Sequence, residues 1–293
     1  MKEIAVVSGK GGTGKTTVTA ALAQLAGADA VVADCDVDAA NLHLLLRPEP
    51  LSEERFYGSS LPMFDARQCT LCGLCESACA WDALHIRNGQ YEVDTAACEG
   101  CGVCAHVCPG GFITMTPRLT GHWYTSRSRF DQPMVQARLG TGQENSGKLV
   151  TRVRTEAVAC ADRFNAGWVL IDGPPGLGCP AIAAISGTIA VLLVTEATRA
   201  GVHDLARMIT LVEHFRIPAY CVINKADCSQ QARDDIRSHC SEHAIPVLAE
   251  FPFSSVFPAS LHEGRTLLEM QDEGITAQME HIWNAITEQE IFA

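Results

Sequence analysis

The sequence predicts an α/β fold, in which helices cover both faces of a parallel sheet and a small cysteine-rich α+β domain is inserted into the chain. Two observations carry this prediction. Continuous apolar segments of strand length alternate with segments of helical periodicity, as expected for strands that are buried on both faces. Between residues 63 and 117, dense Cys and Gly replace that alternation. We therefore assign residues 1–60 and 118–293 to the large domain and residues 61–117 to the insertion.

The predicted elements follow from the same alternation. Residues 3–8 predict an apolar strand, residues 16–27 a helix, and residues 30–36 a second strand that ends in acidic residues. Residues 118–146, which are rich in Gly and polar side chains, predict a return to the large domain that contains a hairpin. The alternation then continues with helices at 147–164, 202–215, 229–243 and 275–293 and strands at 167–176, 187–198, 218–227 and 245–253.

Composition limits the classes of function. The chain is 47% hydrophobic and 19% charged, which is the balance of a well-packed globular protein. Its formal net charge is -12, and it lacks a run of Lys or Arg that could follow a phosphate backbone. No apolar segment reaches membrane-spanning length, and the N-terminal segment continues into a glycine-rich loop rather than a signal peptide. We therefore expect a cytoplasmic protein that binds neither nucleic acid nor a membrane.

The segment G-K-G-G-T-G-K-T, from Gly9 to Thr16, lies between the first predicted strand and helix and matches the phosphate-loop pattern G-x4-G-K-T. In such loops the glycines allow backbone N–H groups to surround the phosphates, Lys15 contacts the β- and γ-phosphates, and the Thr16 hydroxyl binds Mg²⁺. A glycine-rich turn with an unrelated lysine is the alternative. The predicted nucleotide-binding residues of the loop are Gly9, Lys10, Gly11, Gly12, Thr13, Gly14, Lys15, Thr16 and Thr17.

Acidic residues near two strand ends are candidates for magnesium binding and catalysis. Asp34 and Asp36 end the second strand, and Asp172 follows the apolar segment W-V-L-I. Ligands of open α/β sheets gather at the carboxyl ends of the strands, and phosphoryl transfer requires a magnesium-associated acid and a positioned water. Helix capping is the alternative role of such an acidic pair. We predict that Thr16, Asp34 and Asp172 form the Mg²⁺ site.

The cysteines of the insertion form two runs with the spacing C-x2-C-x2-C-x3-C, offset by 29 residues, which indicates an internal duplication. In a reducing cytosol such clustering indicates metal, and this is the spacing of bacterial ferredoxins, in which the fourth cysteine binds the other cluster. Zinc is the alternative. Ala80 follows the first run where that pattern has Pro. The spacing predicts one 4Fe-4S cluster on Cys69, Cys72, Cys75 and Cys108 and another on Cys98, Cys101, Cys104 and Cys79.

The second lysine of the loop, Lys10, makes the chain resemble the deviant Walker A ATPases, the family of MinD, ParA, Mrp and the nitrogenase iron protein. The resemblance extends to D-C-D-V-D-A-A-N (34–41), D-G-P-P-G (172–176), N-K-A-D (224–227) and F-P-F (251–253). It implies a P-loop NTPase fold like that of MinD and the nitrogenase iron protein. More narrowly, the chain is similar to MinD-superfamily ATPases with an inserted bacterial-type ferredoxin domain.

The resemblance implies roles for individual residues. Lys10 would reach across a dimer interface to the partner's nucleotide, and it would form the catalytic set together with Lys15 and Asp36. In the family, the residue that matches Asp36 orients the attacking water. Asp172 would be the Walker B acid, and Asn41 would be the switch I asparagine that binds the nucleotide.

Three further residues are assigned by the same resemblance. Asn224 would contact adenine, and Phe253 would lie beside the base. Cys179 follows Asp172 at the distance of a cluster-binding cysteine in the nitrogenase iron protein. This implies a nucleotide-sensitive metal or partner contact at Cys179. The alternative is a small residue that packs before Pro180.

These assignments imply an ATPase with ATP, Mg²⁺ and two 4Fe-4S clusters as cofactors, and a low rate of hydrolysis without a partner. It would act as a nucleotide sandwich homodimer or as a heterodimer with a similar ATPase. Three functions fit: ATP-gated electron transfer to a redox partner protein, ATP-dependent metal or iron–sulfur cluster assembly in a client metalloprotein, and a MinD- or ParA-like positioning switch with redox-sensing clusters. The full set of eight thiolate ligands favours electron transfer.

Overall fold

The computed structural model describes residues 1–140 and 146–288, and the chain divides into two compact units. The large unit comprises Met1–Glu53, Trp123–Ala137 and Ser146–Ala293. The cysteine-rich unit comprises Glu54–His122 and Arg138–Asn145. The predicted insertion, 61–117, therefore lies inside the cysteine-rich unit, which extends beyond it on both sides.

In the described residues, strands alternate with helices in the N-terminal and the C-terminal part of the chain. The strands are β1 (Lys2–Ser8), β2 (Ala30–Asp34), β3 (Glu49–Phe56), β4 (Ser59–Phe64), β5 (Leu84–Arg87), β6 (Gln90–Val93), β7 (Ile113–Arg118), β8 (Gly121–Arg127), β9 (Pro133–Leu139), β10 (Trp168–Pro175), β11 (Ala190–Glu196), β12 (Ala219–Asn224) and β13 (Val247–Glu250). The helices are α1 (Lys15–Ala26), α2 (Leu42–Leu46), α3 (Leu74–Ser77), α4 (Val103–Val107), α5 (Ser146–Phe164), α6 (Cys179–Ile185), α7 (Arg199–His214), α8 (Gln230–Glu242), α9 (Val256–Glu263) and α10 (Glu273–Thr287).

The central sheet has nine strands in the order β13-β12-β11-β1-β10-β2-β9-β8-β3. Every pair from β13 to β9 is parallel. The predicted fold class, a mostly parallel α/β sheet, is confirmed. The register places the C-terminal ends of β1, β10 and β2 side by side, because Asp172 of β10 pairs with Val6 of β1 on one side and with Asp34 of β2 on the other.

Two layers of helices cover the parallel part of the sheet. Successive side chains of a strand point to opposite faces, so Ile4 and Val6 of β1 pack into the cluster that holds α1, α2 and α10. On the other face, α5 and α6 pack against β2 and β10. The predicted C-terminal packing helix contributes Ile275, Met279 and Ile282 to the core as α10. Residues 289–293 of that prediction lie outside the described residues.

The return segment contributes β8 and β9 to the central sheet beyond β2. The two strands are joined by a turn in which the Ser128 N–H donates to the Gln132 carbonyl at 2.8 Å. Residues 141–145 of the predicted segment 118–146 lie outside the described residues. The edge strand β3 was not predicted, because its sequence E-P-L-S-E-E-R-F is polar and exposed on both faces for most of its length.

The cysteine-rich unit has the duplication that the sequence predicts. Strands β4 and β7 form one antiparallel pair, and β5 and β6 form another. Each cysteine run contains a short helix that begins after a glycine with positive φ: α3 follows Gly73 (φ +79°) and α4 follows Gly102 (φ +78°). A small apolar cluster of Cys75, Leu84 and Ile113 holds the two halves together.

Across the described ranges 1–140 and 146–288, none of the helices combines the length and the apolar character needed to cross a membrane.

Candidate nucleotide site and cysteine pockets

A pocket of about 460 Å³ lies at the carboxyl ends of the central strands, and this volume is within the range of ~300–1,000 Å³ that is typical of small-ligand sites. Most of the residues predicted from the sequence to bind the nucleotide line it. They are Gly11, Gly12, Thr13, Gly14, Lys15, Thr16, Thr17, Asp36, Asn41, Asn224 and Phe253. Their assignment to a nucleotide remains a prediction that the pocket makes physically reasonable.

The loop before α1 depends on the conformational freedom of glycine. Gly12 and Gly14 have φ values of +80° and +96°, which side chains rarely adopt. A Cβ on Gly14 would also lie 2.7 Å from Asn224 Nδ2. This turn starts α1 at Lys15, so the unpaired N–H groups of the first helical turn face the pocket, as phosphate binding requires.

Lys15 is held by carboxylates at the base of the pocket. Its ammonium lies 2.9 Å from Asp172 Oδ1 and 3.6 Å from Asp36 Oδ2. Burial by itself would lower the pKa of Lys15, but the carboxylates of Asp172 and Asp36 raise it above its ordinary value. The lysine is therefore a permanent cation, which is the property that contact with phosphates requires.

Asp172 is fully buried and connects the loop to the sheet. The Thr16 hydroxyl donates to Asp172 Oδ2 at 2.7 Å, and the Thr19 hydroxyl lies 3.2 Å from Asp172 Oδ1. The predicted Mg²⁺ ligands Thr16 and Asp172 are thus in direct contact. Oxygen atoms of this kind are the ligands that Mg²⁺ prefers.

Asp34 is also fully buried, and one of its oxygens has no hydrogen-bond partner. Oδ1 accepts the Asp36 N–H at 3.2 Å, whereas Oδ2 is unpaired. Burial, together with the nearby Asp172 carboxylate, raises the pKa of Asp34 to about 8. An orphaned carboxylate oxygen next to Asp172 and Thr16 fits a divalent cation, because the cation would supply the missing positive charge. These three residues therefore suit Mg²⁺.

Lys10 has a partner within its own chain that sequence reasoning missed. Its ammonium lies 2.7 Å from Oε2 of Glu196, and Lys225 binds the other oxygen of the same carboxylate. Burial would raise the pKa of Glu196, but the two lysines lower it below its ordinary value. The signal in the sequence that could have identified Glu196 is its position, since it is an acidic residue at the end of the buried strand β11.

Asn224 and Phe253 occupy different parts of the pocket. The buried Asn224 side chain donates to the Thr13 carbonyl at 2.9 Å and accepts the Lys225 N–H at 2.8 Å. It therefore braces the phosphate loop, and its predicted contact with adenine remains a prediction. Phe253 is 63% exposed and lies beside Leu261 on the pocket wall, so its ring is free to stack on a planar group.

The cysteine-rich unit contains two apolar pockets, and each is lined by four thiols from both cysteine runs. The described residues 1–140 and 146–288 contain no three His, Cys, Asp or Glu side chains that converge as for a single metal ion. The thiols surround a cavity instead. One cavity is lined by Cys69, Cys72, Cys75 and Cys108 and the other by Cys79, Cys98, Cys101 and Cys104, the two sets that the spacing predicts.

Backbone N–H groups point at sulfur atoms in both pockets. Ala83 N–H donates to Cys79 Sγ, and Phe112 N–H donates to Cys108 Sγ, each at 3.4 Å. Such donors stabilise thiolates that bind iron–sulfur clusters. Four thiols around an apolar cavity, with N–H donors to sulfur, are a donor set that fits a 4Fe-4S cluster. The assignment of the eight cysteines as cluster ligands remains a prediction.

Cys179 does not line either cysteine pocket or the large pocket. It is exposed and begins α6. Its predicted metal or partner contact therefore remains a prediction.

Comparison with known proteins gives one family and two kinds of relative. Residues 4–267 match the family model described as the CobQ/CobB/MinD/ParA nucleotide binding domain. The uncharacterized protein MJ0578 of Methanocaldococcus jannaschii is 33% identical over 227 residues, which are 76% of this chain and 78% of that protein. A ferredoxin-like protein in the nif region of Sinorhizobium fredii is 42% identical over 50 residues, which are 15% of this chain and 78% of that protein.

Among solved structures, the septum site-determining protein MinD of Pyrococcus horikoshii, complexed with Mg-ADP, superposes with a TM-score of 0.57. The match covers 98% of this chain and 96% of that protein at 19% sequence identity. At this identity the likeness is one of fold.

We predict that Asp34 makes the stability of the chain fall as the pH rises. Its carboxyl has a pKa of about 8 in the folded chain against an ordinary value of 3.8, so the folded state binds more protons between these values. The stabilisation is complete below the lower value and is lost as the pH passes about 8. Without nucleotide or Mg²⁺, Asp34→Asn should flatten this slope and stabilise the chain at pH 8 by roughly 1–3 kcal/mol.

The measurement is the unfolding free energy of both proteins in EDTA at several pH values. Asp162→Asn, which alters an exposed carboxyl on α5, is the matched control and should leave the slope unchanged. Parallel stability curves for Asp34→Asn and the unmodified chain would contradict the account of a buried, protonated Asp34.

Proposed function

Because the chain belongs to the CobQ/CobB/MinD/ParA nucleotide-binding family, we propose that it is an iron–sulfur ATPase that couples ATP hydrolysis to electron transfer to a partner protein. The resemblance predicted from the sequence, including the inserted ferredoxin-like segment, is confirmed by the family match and by the ferredoxin relative. The observation that carries the proposal is that one chain contains both a phosphate loop above buried carboxylates and two four-thiol pockets.

The residues at the base of the large pocket have different roles in phosphoryl transfer. Backbone N–H groups of the loop bind the phosphates, and Lys15 exchanges its contact with Asp172 for one with the β- and γ-phosphates. Thr16, Asp34 and Asp172 hold Mg²⁺, which supplies the positive charge that offsets the charge of the phosphates. Asp36, which lines the pocket, orients the attacking water.

The outer wall of the pocket suits a purine base. Phe253, Pro258 and Leu261 form its apolar part, and the exposed ring of Phe253 offers a face for stacking. Asn224 keeps the loop in place by its hydrogen bond to Thr13 rather than by reading the base directly. We therefore assign ATP as the nucleotide on the family match and not on a base-specific contact.

Lys10 is the residue that makes the ATPase dimeric. In the isolated chain Glu196 binds it at 2.7 Å. To reach the nucleotide of a second subunit, Lys10 must leave Glu196, and the dimer interface must supply the phosphates as a better anionic partner. Glu196 retains a counter-charge from Lys225, so release of Lys10 does not leave a buried carboxylate unpaired. The second subunit is another copy of this chain or a similar ATPase.

The cysteine pockets would hold two 4Fe-4S clusters that carry the electrons. Each pocket offers a complete set of four thiols, which keeps a cluster bound through changes of oxidation state. The chain after Asp36 and Asn41 continues through α2 and β3 into the cysteine-rich unit. A movement of this segment when ATP is bound or hydrolysed is therefore passed along the chain toward the clusters, and a redox protein is the expected partner.

Cluster assembly in a client metalloprotein is the second candidate function. The observation that favours it is that each pocket includes one exposed thiol, Cys72 in the first and Cys101 in the second. An exposed ligand is accessible to the thiols of an acceptor protein, so a cluster could be transferred by ligand exchange.

We predict different defects for the two lysines of the loop. Lys15→Ala should abolish tight ATP binding, because the loop loses its cation at the phosphates. Lys10→Ala should bind ATP normally and reduce turnover by at least about 10³-fold, the effect of removing a charge supplied across an interface. Asp36→Ala should trap an ATP-bound dimer. Calorimetric ATP binding, phosphate release and sedimentation velocity measure the three properties.

The control for these variants is Arg237→Ala, which removes an exposed cation on α8 that pairs with Glu250 of β13. It should leave binding and turnover unchanged. Normal turnover by Lys10→Ala would refute the dimeric mechanism, whereas normal ATP binding by Lys15→Ala would refute the assignment of the phosphate loop.

We predict that the clusters stay with the protein during ATP hydrolysis. Protein whose clusters contain labelled iron is incubated anaerobically with an apo-ferredoxin, with and without ATP, and the label is measured after separation. A relay retains its iron because four thiols bind each cluster. ATP-dependent transfer of label to the acceptor would instead establish the assembly function and displace electron transfer.

A further inference from the structure

The two cysteine pockets are related by the internal duplication, residue by residue. With the offset of 29 between Cys69 and Cys98, Gly73 corresponds to Gly102 and Cys75 corresponds to Cys104. The backbone donors follow the same relation, because the contact from Ala83 to Cys79 is repeated 29 residues later by Phe112 and Cys108, also at 3.4 Å. The two sites therefore start from the same backbone chemistry, and a difference between them must come from side chains.

The linings of the two pockets differ at several positions, among them Trp81 of the second pocket, which corresponds to Gly110, and Tyr91 of the first. Tyr91 of β6 lines the first pocket, and the corresponding residue of β4, Pro62, lines the second. A tyrosine offers a hydroxyl donor, whereas proline offers neither a side-chain donor nor a backbone N–H. The cluster bound in the first pocket would thus have a hydrogen-bond donor at a position where the second has none.

The Tyr91 hydroxyl is held at the edge of the first pocket. The ring stacks on Phe64 with a centroid distance of 4.6 Å and an interplanar angle of 12°. The hydroxyl oxygen accepts the Gly73 N–H at 3.2 Å, which leaves the hydroxyl proton for another acceptor. Cys75 lines the same pocket and belongs to the apolar cluster against which Tyr91 packs. Burial, together with a hydrogen bond to the Cys75 side chain, raises the pKa of the Tyr91 phenol. Cys75 is 6% exposed, so this contact is largely shielded from water.

We propose that Tyr91 donates its hydroxyl proton to Cys75 Sγ and thereby raises the reduction potential of the cluster in the first pocket. A reduced cluster carries one more negative charge than an oxidised one, and a donor to a cluster sulfur stabilises the more negative state. Tyr91 is a positioning residue, because it acts through Cys75.

This inference rests on cluster binding as part of the proposed function. It makes the two sites inequivalent, because only the first pocket contains the Tyr91 hydroxyl.

The test is Tyr91→Phe, which keeps the ring and its stacking on Phe64 and removes only the hydroxyl. Potentials of both clusters are measured by EPR-monitored titration of the anaerobically purified full chain. We expect one midpoint potential to fall by about 59 mV, a tenfold change in a one-electron equilibrium, and the other to stay constant. Tyr57→Phe removes an exposed hydroxyl in the same unit and is the control that should move neither potential.

A second variant tests the sign. Site-specific replacement of Tyr91 by 3-fluorotyrosine, at a pH where the phenol keeps its proton, strengthens the donor without changing the shape of the ring. The same midpoint potential should then rise. A structural disturbance is not expected to lower the midpoint potential in one variant and to raise it in the other, because its effect does not follow the strength of the hydrogen-bond donor.

Failure of this inference and failure of the proposed function would give different results. Purified protein without iron would overturn cluster binding, and with it this inference. Protein with about eight iron atoms per chain, as two 4Fe-4S clusters require, but with unchanged potentials in Tyr91→Phe would overturn the inference and leave the proposed function standing. Equal shifts of both potentials would also overturn it, because only the first pocket contains Tyr91.

Discussion

The ion pairs of Lys15 with Asp36 and with the buried Asp172, which lies beside the buried Asp34 of the neighbouring strand, are the constraint on which the rest of the large unit depends. One ammonium group is shared among three carboxyl groups, and burial, together with the Asp172 carboxylate, raises the pKa of Asp34 to about 8. If Lys15 turns to the phosphates, these carboxyl groups lose their main counter-charge. A bound Mg²⁺ would replace it, so under the proposed function we expect binding of the nucleotide and binding of the cation to be coupled by electrostatics.

A second constraint connects this group of charged side chains to the rest of the chain. Asp36 and Asn41 are followed by α2, whose Leu42, Leu45 and Leu46 are fully buried. A helix that is anchored by three leucines cannot absorb a shift at Asn41 by fraying, because exposing them would be too costly. Under the proposed function, the shift is passed along the chain to the polar strand β3, from which the chain enters the cysteine-rich unit.

Local patterns were sufficient for the parallel strands and the motifs, because strand burial, glycine spacing and cysteine spacing are properties of short segments. They missed the polar edge strand β3, which has no apolar face to signal it. Contacts between distant segments could not be read in this way. The pairing of Lys10 with Glu196 depends on β1 and β11 being neighbours in the sheet, and Asn224 reaches Thr13 across 211 residues. Tyr91 carried no motif of its own. Its proposed role depends on the placement of its hydroxyl beside Gly73 and Cys75, which are distant from it in the sequence.

The most direct test of the central claim, coupling between the nucleotide and the clusters, is the midpoint potential of each cluster with ADP and with a non-hydrolysable ATP analogue. Coupling is reciprocal, so a nucleotide state that controls electron transfer must shift at least one potential, by about 59 mV for a tenfold effect on a one-electron equilibrium. We expect such a shift in the anaerobically purified protein, and we expect Lys15→Ala to abolish it. Identical potentials with ADP and the analogue, both clusters and the nucleotide being bound, would contradict the account.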